Sequence, residues 1–164
     1  MKTEAIFNGV RNGFIFLYDF QNKVAKEIGK ERALELDTAS SRELGAAQGM
    51  MLKEQTGQDI PDAISASNII MKYLEQELGV RMVVKDESPE RVVYSCGRCP
   101  IFEAYQVFGT DNKDIESNCR ASAVGFMDEL VKQLNPKLNY ELVRFREGAE
   151  DSCDEVIFLE KEHH

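Results

Sequence analysis

The chain has 164 residues, 43% of them hydrophobic, which is enough for one good core and too few for two full-sized domains, so a single domain over residues 1–164 is expected. A net charge of −9 repels phosphate backbones and anionic lipid, and the clustered bases Lys23, Lys26, Lys30 and Arg32 are interleaved with Glu27, Glu31 and Glu35, so no nucleic-acid partner and no membrane partner is expected. The opening Met1-Lys2-Thr3-Glu4 leads to no small-residue cleavage site, and no apolar run approaches the about 18 residues that cross a bilayer, which predicts a cytoplasmic protein whose thiols stay reduced.

Residues 1–79 read as three helices. In the first, Phe7, Val10, Phe14, Leu17, Gln21, Val24 and Ile28 recur at steps of three and four, and Gly29 supplies a stop. Phe7, Phe14, Phe16, Tyr18 and Phe20 exceed what one helical face holds, so some must meet a second surface: a core or homodimer contact, or the wall of an apolar ligand pocket. The second helix, about 31 to 56, carries Leu34, Leu44, Ala47 and Met51 among its buried candidates and closes at Gly57. Its polar centre, Asp37, Thr38, Ser40 and Ser41, reads as a solvated face or as the lining of a small pocket, and Gly45 and Gly49, four apart, allow another backbone to come close. The third begins at Pro61-Asp62, a cap-like start, and runs through Ile64, Ile70, Leu74 and Leu78 to Gly79.

After Gly79 the period becomes two. Val80, Met82 and Val84 mark one strand, Glu87-Ser88-Pro89-Glu90 a turn, and Val92, Val93 and Tyr94 a second strand that runs into Cys96. A short segment, Ile101 to Phe108, ends at Gly109. One long amphipathic helix over about 112–134 follows, with the stripe Ile115, Cys119, Ala123, Phe126, Leu130 and Leu134. Two further strands, Leu138 to Arg146 and Glu155 to Glu160, flank the acidic loop 147–152 that delivers Cys153. The fold class is therefore α+β: three N-terminal helices followed, over 80–160, by a small antiparallel sheet with one long helix packed on it. His163 and His164 read as the start of a tag, and without them the sequence has no histidine to serve as base or nitrogen ligand.

The four cysteines, Cys96, Cys99, Cys119 and Cys153, are the strongest chemical signal. Cys96-Gly97-Arg98-Cys99 has the spacing at which two thiolates grip one tetrahedral ion, and Cys119 and Cys153 would complete a zinc site; an iron-sulfur cluster would use the same sulfurs at spacings that match neither common ferredoxin pattern. The other readings are a reactive or ligand-contacting thiol and inert burial, since cysteine is a small apolar residue. A thioredoxin-like role for Cys96 and Cys99 is disfavoured, because the motif should open a helix after a strand in a βαβ context and here Pro100 follows a hairpin.

The order Cys99-Pro100 after a strand, an aromatic segment ending at Gly109, Cys119 on a helix, the strand Tyr140 to Arg146, then Gly148 and Cys153-Asp154 resembles the 2-aminothiazoline-4-carboxylate hydrolase family and, more distantly, the 4-vinyl reductase domains that bind small molecules. Ile28-Gly29-Lys30-Glu31-Arg32-Ala33 before a polar-centred helix is similar to the same group. The resemblance implies an α+β domain that encloses a small molecule near Cys99, Cys119 and Cys153, with ring opening by a thiolate or metal-bound water and Asp154 moving protons. Arg120-Ala121-Ser122 and Glu155 depart from that pattern where an acid and an aromatic would stand. Two functions compete: a small-molecule-binding or sensing module, and a hydrolase of a cysteine-related heterocycle. A zinc-ribbon-like nucleic-acid binder collides with the acidity.

Overall fold

In the computed structural model, which describes residues 2–160, helix α1 (Lys2–Ile28) passes through a single residue, Gly29, into α2 (Lys30–Thr56). Gly29 has φ 90°, a backbone conformation that a side chain would strain, which is why two long helices can follow each other with so short a joint. Helix α3 (Ala63–Tyr73) starts where the Asp62 carboxylate accepts the Ser65 N–H at 2.8 Å, and its end widens into one π-helical turn over Leu74–Leu78 before Gly79. Strands β1 (Met82–Ser88) and β2 (Arg91–Cys96) form the expected hairpin. Helix α4 (Pro100–Val107) follows, then α5 (Asn112–Ala121), α6 (Ala123–Leu134), β3 (Leu138–Arg144) and β4 (Cys153–Leu159).

The fold is mixed helix and antiparallel sheet, with strand order β1-β2-β4-β3. The single long helix expected over 112–134 is instead two. Ser122 turns its Oγ back to the Asn118 carbonyl at 2.8 Å and sits at φ −105°, ψ −67°, within the right-handed region but off the ideal helical φ, and α5 and α6 meet there at a break. The last strand, β4, inserts between β2 and β3, which sets Cys153 opposite Cys96 and Glu155 opposite both Tyr94 and Leu142. Helices α3 and α6 cover the face of the sheet that carries Val92, Tyr94, Leu138, Tyr140 and Ile157.

Helix α2 lies across α6 at Gly45 and Gly49. A Cβ on Gly45 would sit 2.2 Å from the Phe126 carbonyl oxygen, and one on Gly49 would sit 2.5 Å from that of Leu130, so the absent side chains are what permit the crossing. Of the polar residues at the centre of α2, Asp37 turns inward to accept from Gln21 of α1 at 2.7 Å, while Thr38 bonds back to its own helix at the Leu34 carbonyl.

Helix α1 divides its aromatics. Phe7 enters the main core, and Tyr18 enters a second, smaller core with Phe102, Ala104, Tyr105 and Ile115, its ring stacked on Tyr105 at 3.8 Å. Phe16 and Phe20 face outward at 77% and 58% exposure. Cys99 and Phe145 touch both cores, so the thiol region lies at their junction. Among the described residues no helix is long and apolar enough to cross a membrane. His163 and His164, read as a tag, lie outside the described residues.

Candidate functional site

The site begins at the end of β2. Cys96 is the last residue of that strand and pairs in register with Cys153, the first of β4. Gly97 and Arg98 carry the chain over the sheet edge, and Cys99 caps α4 with Pro100 at the first helical position, where a missing N–H costs nothing. The Cys99 sulfur makes no cap hydrogen bond to that first turn, though the Phe102 N–H, one of its free donors, is near enough to favour negative charge on the sulfur. Cys119 enters from α5 and is close enough to feel charge on both Cys99 and Cys153. The close pair Cys96 and Cys99 thus has Cys153 opposite it across the strands and Cys119 within electrostatic reach.

The positive charge placed beside them is Arg146, in the turn after β3, with 2% of its surface exposed. Its Nε donates to the Cys153 sulfur at 3.3 Å and its Nη2 to the Cys96 carbonyl at 2.9 Å, while the guanidinium lies 4.7 Å from the centre of the Phe102 ring. A second polar group, Glu155, comes from the middle of β4 and accepts the Tyr140 hydroxyl of β3. The hydroxyl of Tyr94, opposite Glu155 and 1% exposed, makes no well-formed hydrogen bond, the buried Ser67 hydroxyl of α3 being the polar group beside it.

These neighbours set the protonation states. The Cys96 S–H, the Phe102 N–H and Arg146 hold the Cys99 thiol below its ordinary value, outweighing its burial. Cys96 is driven well above the usual range, first because its proton is engaged by Cys99 and then by burial. Burial pushes Cys119 well up, and it raises Cys153 despite Arg146. Burial also raises Glu155 above the usual carboxylate range, opposed by Tyr140 and Arg146. The arrangement thus presents one sulfur whose proton affinity is lowered, beside thiols and a carboxyl whose proton affinity is raised.

Cys99, Cys119 and Glu155 feel strong desolvation yet are only half-buried by surface. Each thus keeps some accessible surface while packed deep at the junction of the two cores. Above the junction lie Tyr18 and Tyr105, each within electrostatic reach of Cys119, and beyond them the Gln21 and Asp37 pair. Burial raises the Asp37 carboxyl, and the hydroxyl of Ser122, at the α5–α6 break, faces it.

Asp154 does not join the cluster. Along β4, Cys153 and Glu155 point to the covered face and Asp154 to the opposite one, where it accepts from Lys85 at 2.7 Å and Arg144 at 3.1 Å. Among the described residues, no group of three or more His, Cys, Asp or Glu is set to hold a metal ion. Sequence reasoning placed Tyr18 in a candidate pocket wall and named Tyr140 and Arg146 only as the ends of a strand; it gave no role to Arg146, Tyr140 or Tyr105, of which Tyr140 left a signal by alternating with Leu138 and Leu142.

Two depressions on the surface are lined by other residues than these thiols. One of about 400 Å³ is lined by Glu4, Phe7, Arg81 and Arg98, and one of about 170 Å³ by Arg42, Arg120 and Asp128. Their arginines are already engaged: Arg98 by Glu4 and Glu103, Arg81 by Glu75, Arg42 by Glu129, and Arg120 by Glu116.

No family model and no curated protein matches the chain. Among solved structures it is similar to a trafficking protein particle complex subunit 3 from Naegleria fowleri covalently bound to palmitic acid, at 11% identity over 91% of this chain and 96% of that one, with a TM-score of 0.51. At that identity the likeness is one of fold: this chain shares the arrangement of helices and antiparallel sheet seen in that subunit.

Proposed function

We propose that the protein is a small-molecule-binding domain whose ligand enters at the junction of the two cores and contacts Cys99, Cys119 and Glu155. The observation that carries this reading is the half-buried state of those three groups in otherwise deep surroundings, beside a buried Tyr94 hydroxyl without a well-formed hydrogen bond. The aromatic wall of Tyr18, Phe102 and Tyr105 suits an apolar body, and the thiols, Glu155 and Arg146 suit a polar end. A neighbour of the same fold covalently bound to palmitic acid supports a ligand class of fatty-acid type. A cytoplasmic setting agrees with four free cysteines.

Native mass spectrometry of the purified protein, together with a thermal-shift series on fatty acids that includes palmitate, tests this. A retained ligand mass or a saturable shift is expected. No retained mass and no shift across the series refutes it.

A second reading, hydrolysis of a small cysteine-related heterocycle, is favoured by one observation: Cys99 sits at a helix N-terminus with Glu155, whose proton affinity burial raises, within electrostatic reach, so that a nucleophile and a proton donor could act together. Turnover that persists in a Cys99→Ser variant removes this reading. The outward face of α1, where Gly9 and Gly13 have open space beside Phe16 and Phe20, is the surface we assign to a homodimer, because antiparallel copies would lay the rings of one over the glycines of the other.

A further inference from the structure

The expectation against redox chemistry rested on the lack of a βαβ context, with Pro100 following a hairpin, and β1 and β2 do form that hairpin. The structure nevertheless makes Cys99 the cap of α4, with only Gly97 and Arg98 between it and the end of β2. We propose that Cys96 and Cys99 are a redox-active dithiol that reduces low-molecular-weight disulfides, with Cys99 the attacking sulfur and Cys96 the resolving one. This goes beyond ligand binding and does not depend on it.

Three features of the geometry assign the roles. The Cys96 sulfur lies 3.7 Å from the Arg98 carbonyl oxygen, on the peptide bond that leads into Cys99, so little movement is needed to bring the two thiols together. Cys99 keeps accessible surface, whereas Cys96 is 4% exposed, so an external disulfide reaches Cys99 first and leaves Cys96 protected behind it. The third neighbour, Cys153, lies across the strand pair from Cys96 but is held by the Arg146 Nε, which makes Cys99 the freer partner. The helix N-terminus and Arg146 favour a negative sulfur at Cys99 and keep it there between encounters.

In the first step the Cys99 thiolate attacks one sulfur of a disulfide R–S–S–R, forming Cys99–S–S–R and releasing R–S⁻. That step removes the negative charge that had kept the Cys96 proton in place. In the second, Cys96 gives its proton to the departing thiolate or solvent and attacks the Cys99 sulfur, forming Cys96–S–S–Cys99 and releasing the second R–S⁻. Two protein thiols lose two electrons and two protons, and one disulfide becomes two thiols. A cellular low-molecular-weight thiol runs the cycle backward.

The full chain is equilibrated in a series of reduced-to-oxidised glutathione ratios, trapped by alkylation and digested with trypsin. Cleavage after Arg98 separates the two cysteines, so the expected product is a disulfide joining peptide Val92–Arg98 to peptide Cys99–Lys113, rising in one reversible transition. In Cys96→Ser one glutathione stays on Cys99, with an adduct lifetime about tenfold or more beyond that of the unsubstituted protein. No joined peptides at any ratio, a Cys96 to Cys153 linkage in their place, or adducts that settle on Cys119 or Cys153 overturns the proposal. The peptide map of the unsubstituted protein decides the matter even if a variant does not fold. A ligand shift lost or kept is read separately, by the fatty-acid series.

Discussion

Gly45→Ala tests whether the α2–α6 crossing is as close as the backbone requires. In an open helix the change is worth about 1 kcal/mol of stabilisation, because alanine loses less backbone freedom than glycine. At Gly45 the new methyl would stand 2.2 Å from the Phe126 carbonyl oxygen and 2.9 Å from its Cα and carbonyl carbon, all backbone atoms that no rotamer change can move aside. Ordinary carbon contacts are roughly 3.5–4 Å, so α6 must retreat by about 1 Å, and insertions of that kind cost about 1–3 kcal/mol. With the rigid obstacle at the upper end of that range, the net loss is about 2 kcal/mol, or a fall in Tm of about 4–8 °C for a chain this long. Gly49→Ala meets the Leu130 carbonyl oxygen at 2.5 Å and the Gln133 Cβ at 2.8 Å, and behaves alike. The double variant loses less than the sum, because one retreat of α6 serves both sites. Urea denaturation of the three variants, followed by circular dichroism, supplies the numbers. A neutral or stabilising Gly45→Ala, with the helical signal unchanged, refutes the close crossing.

Glu155→Gln reads the buried carboxyl through the pH dependence of stability. The folded state raises its proton affinity, so it contributes stability below the ordinary carboxylate range that is lost as pH climbs through the raised folded value; the glutamine variant removes that loss, and its stability curve should be flatter over the same window. Iodoacetamide should modify Cys99 before the other three thiols, and Cys96→Ala, by deleting the S–H that steadies the Cys99 thiolate, should move the inflection of the rate against pH upward, followed by peptide mass mapping. On α1, Gly13→Ala has nothing within 4 Å in its own protomer, so a lone protomer gains up to about 1 kcal/mol, whereas a dimer packed through that face dissociates at lower concentration in light scattering; Phe16→Asp should give monomers outright.

The helices were legible because glycines end them. Gly29, Gly57 and Gly79 all have positive φ, and each stands where a periodic apolar pattern stops. The α5–α6 break was not legible: Ser122 lies between two stretches of a continuous stripe, and only its bond to Asn118, against Asp37 from another helix, shows why the backbone departs there. Reading Cys153 as the end of a loop instead of the first residue of β4 had a larger consequence. Period two from Cys153 sends Glu155 and Ile157 inward and Asp154 outward, so the acid that reaches the thiols is Glu155, the residue taken as a departure from the family pattern.

That acid stands where the alternation of β4 asks for an apolar side chain, between Cys153 and Ile157 on the covered face and opposite Tyr94 and Leu142. An ionised carboxylate there costs several kcal/mol unless paired, and the structure answers with one phenol, a nearby guanidinium and a raised proton affinity that together soften the penalty without removing it. A leucine would fill the same place with no such compensation. Local pattern and chosen residue disagree at this one point of the central sheet, the Tyr94 hydroxyl, without a well-formed hydrogen bond, lies beside it, and Cys99 keeps its accessible surface within electrostatic reach. Sequences that otherwise agree with their fold at every level break the rule where a function requires it, which is why the junction of the two cores, and not either surface depression, is the place to look for the ligand.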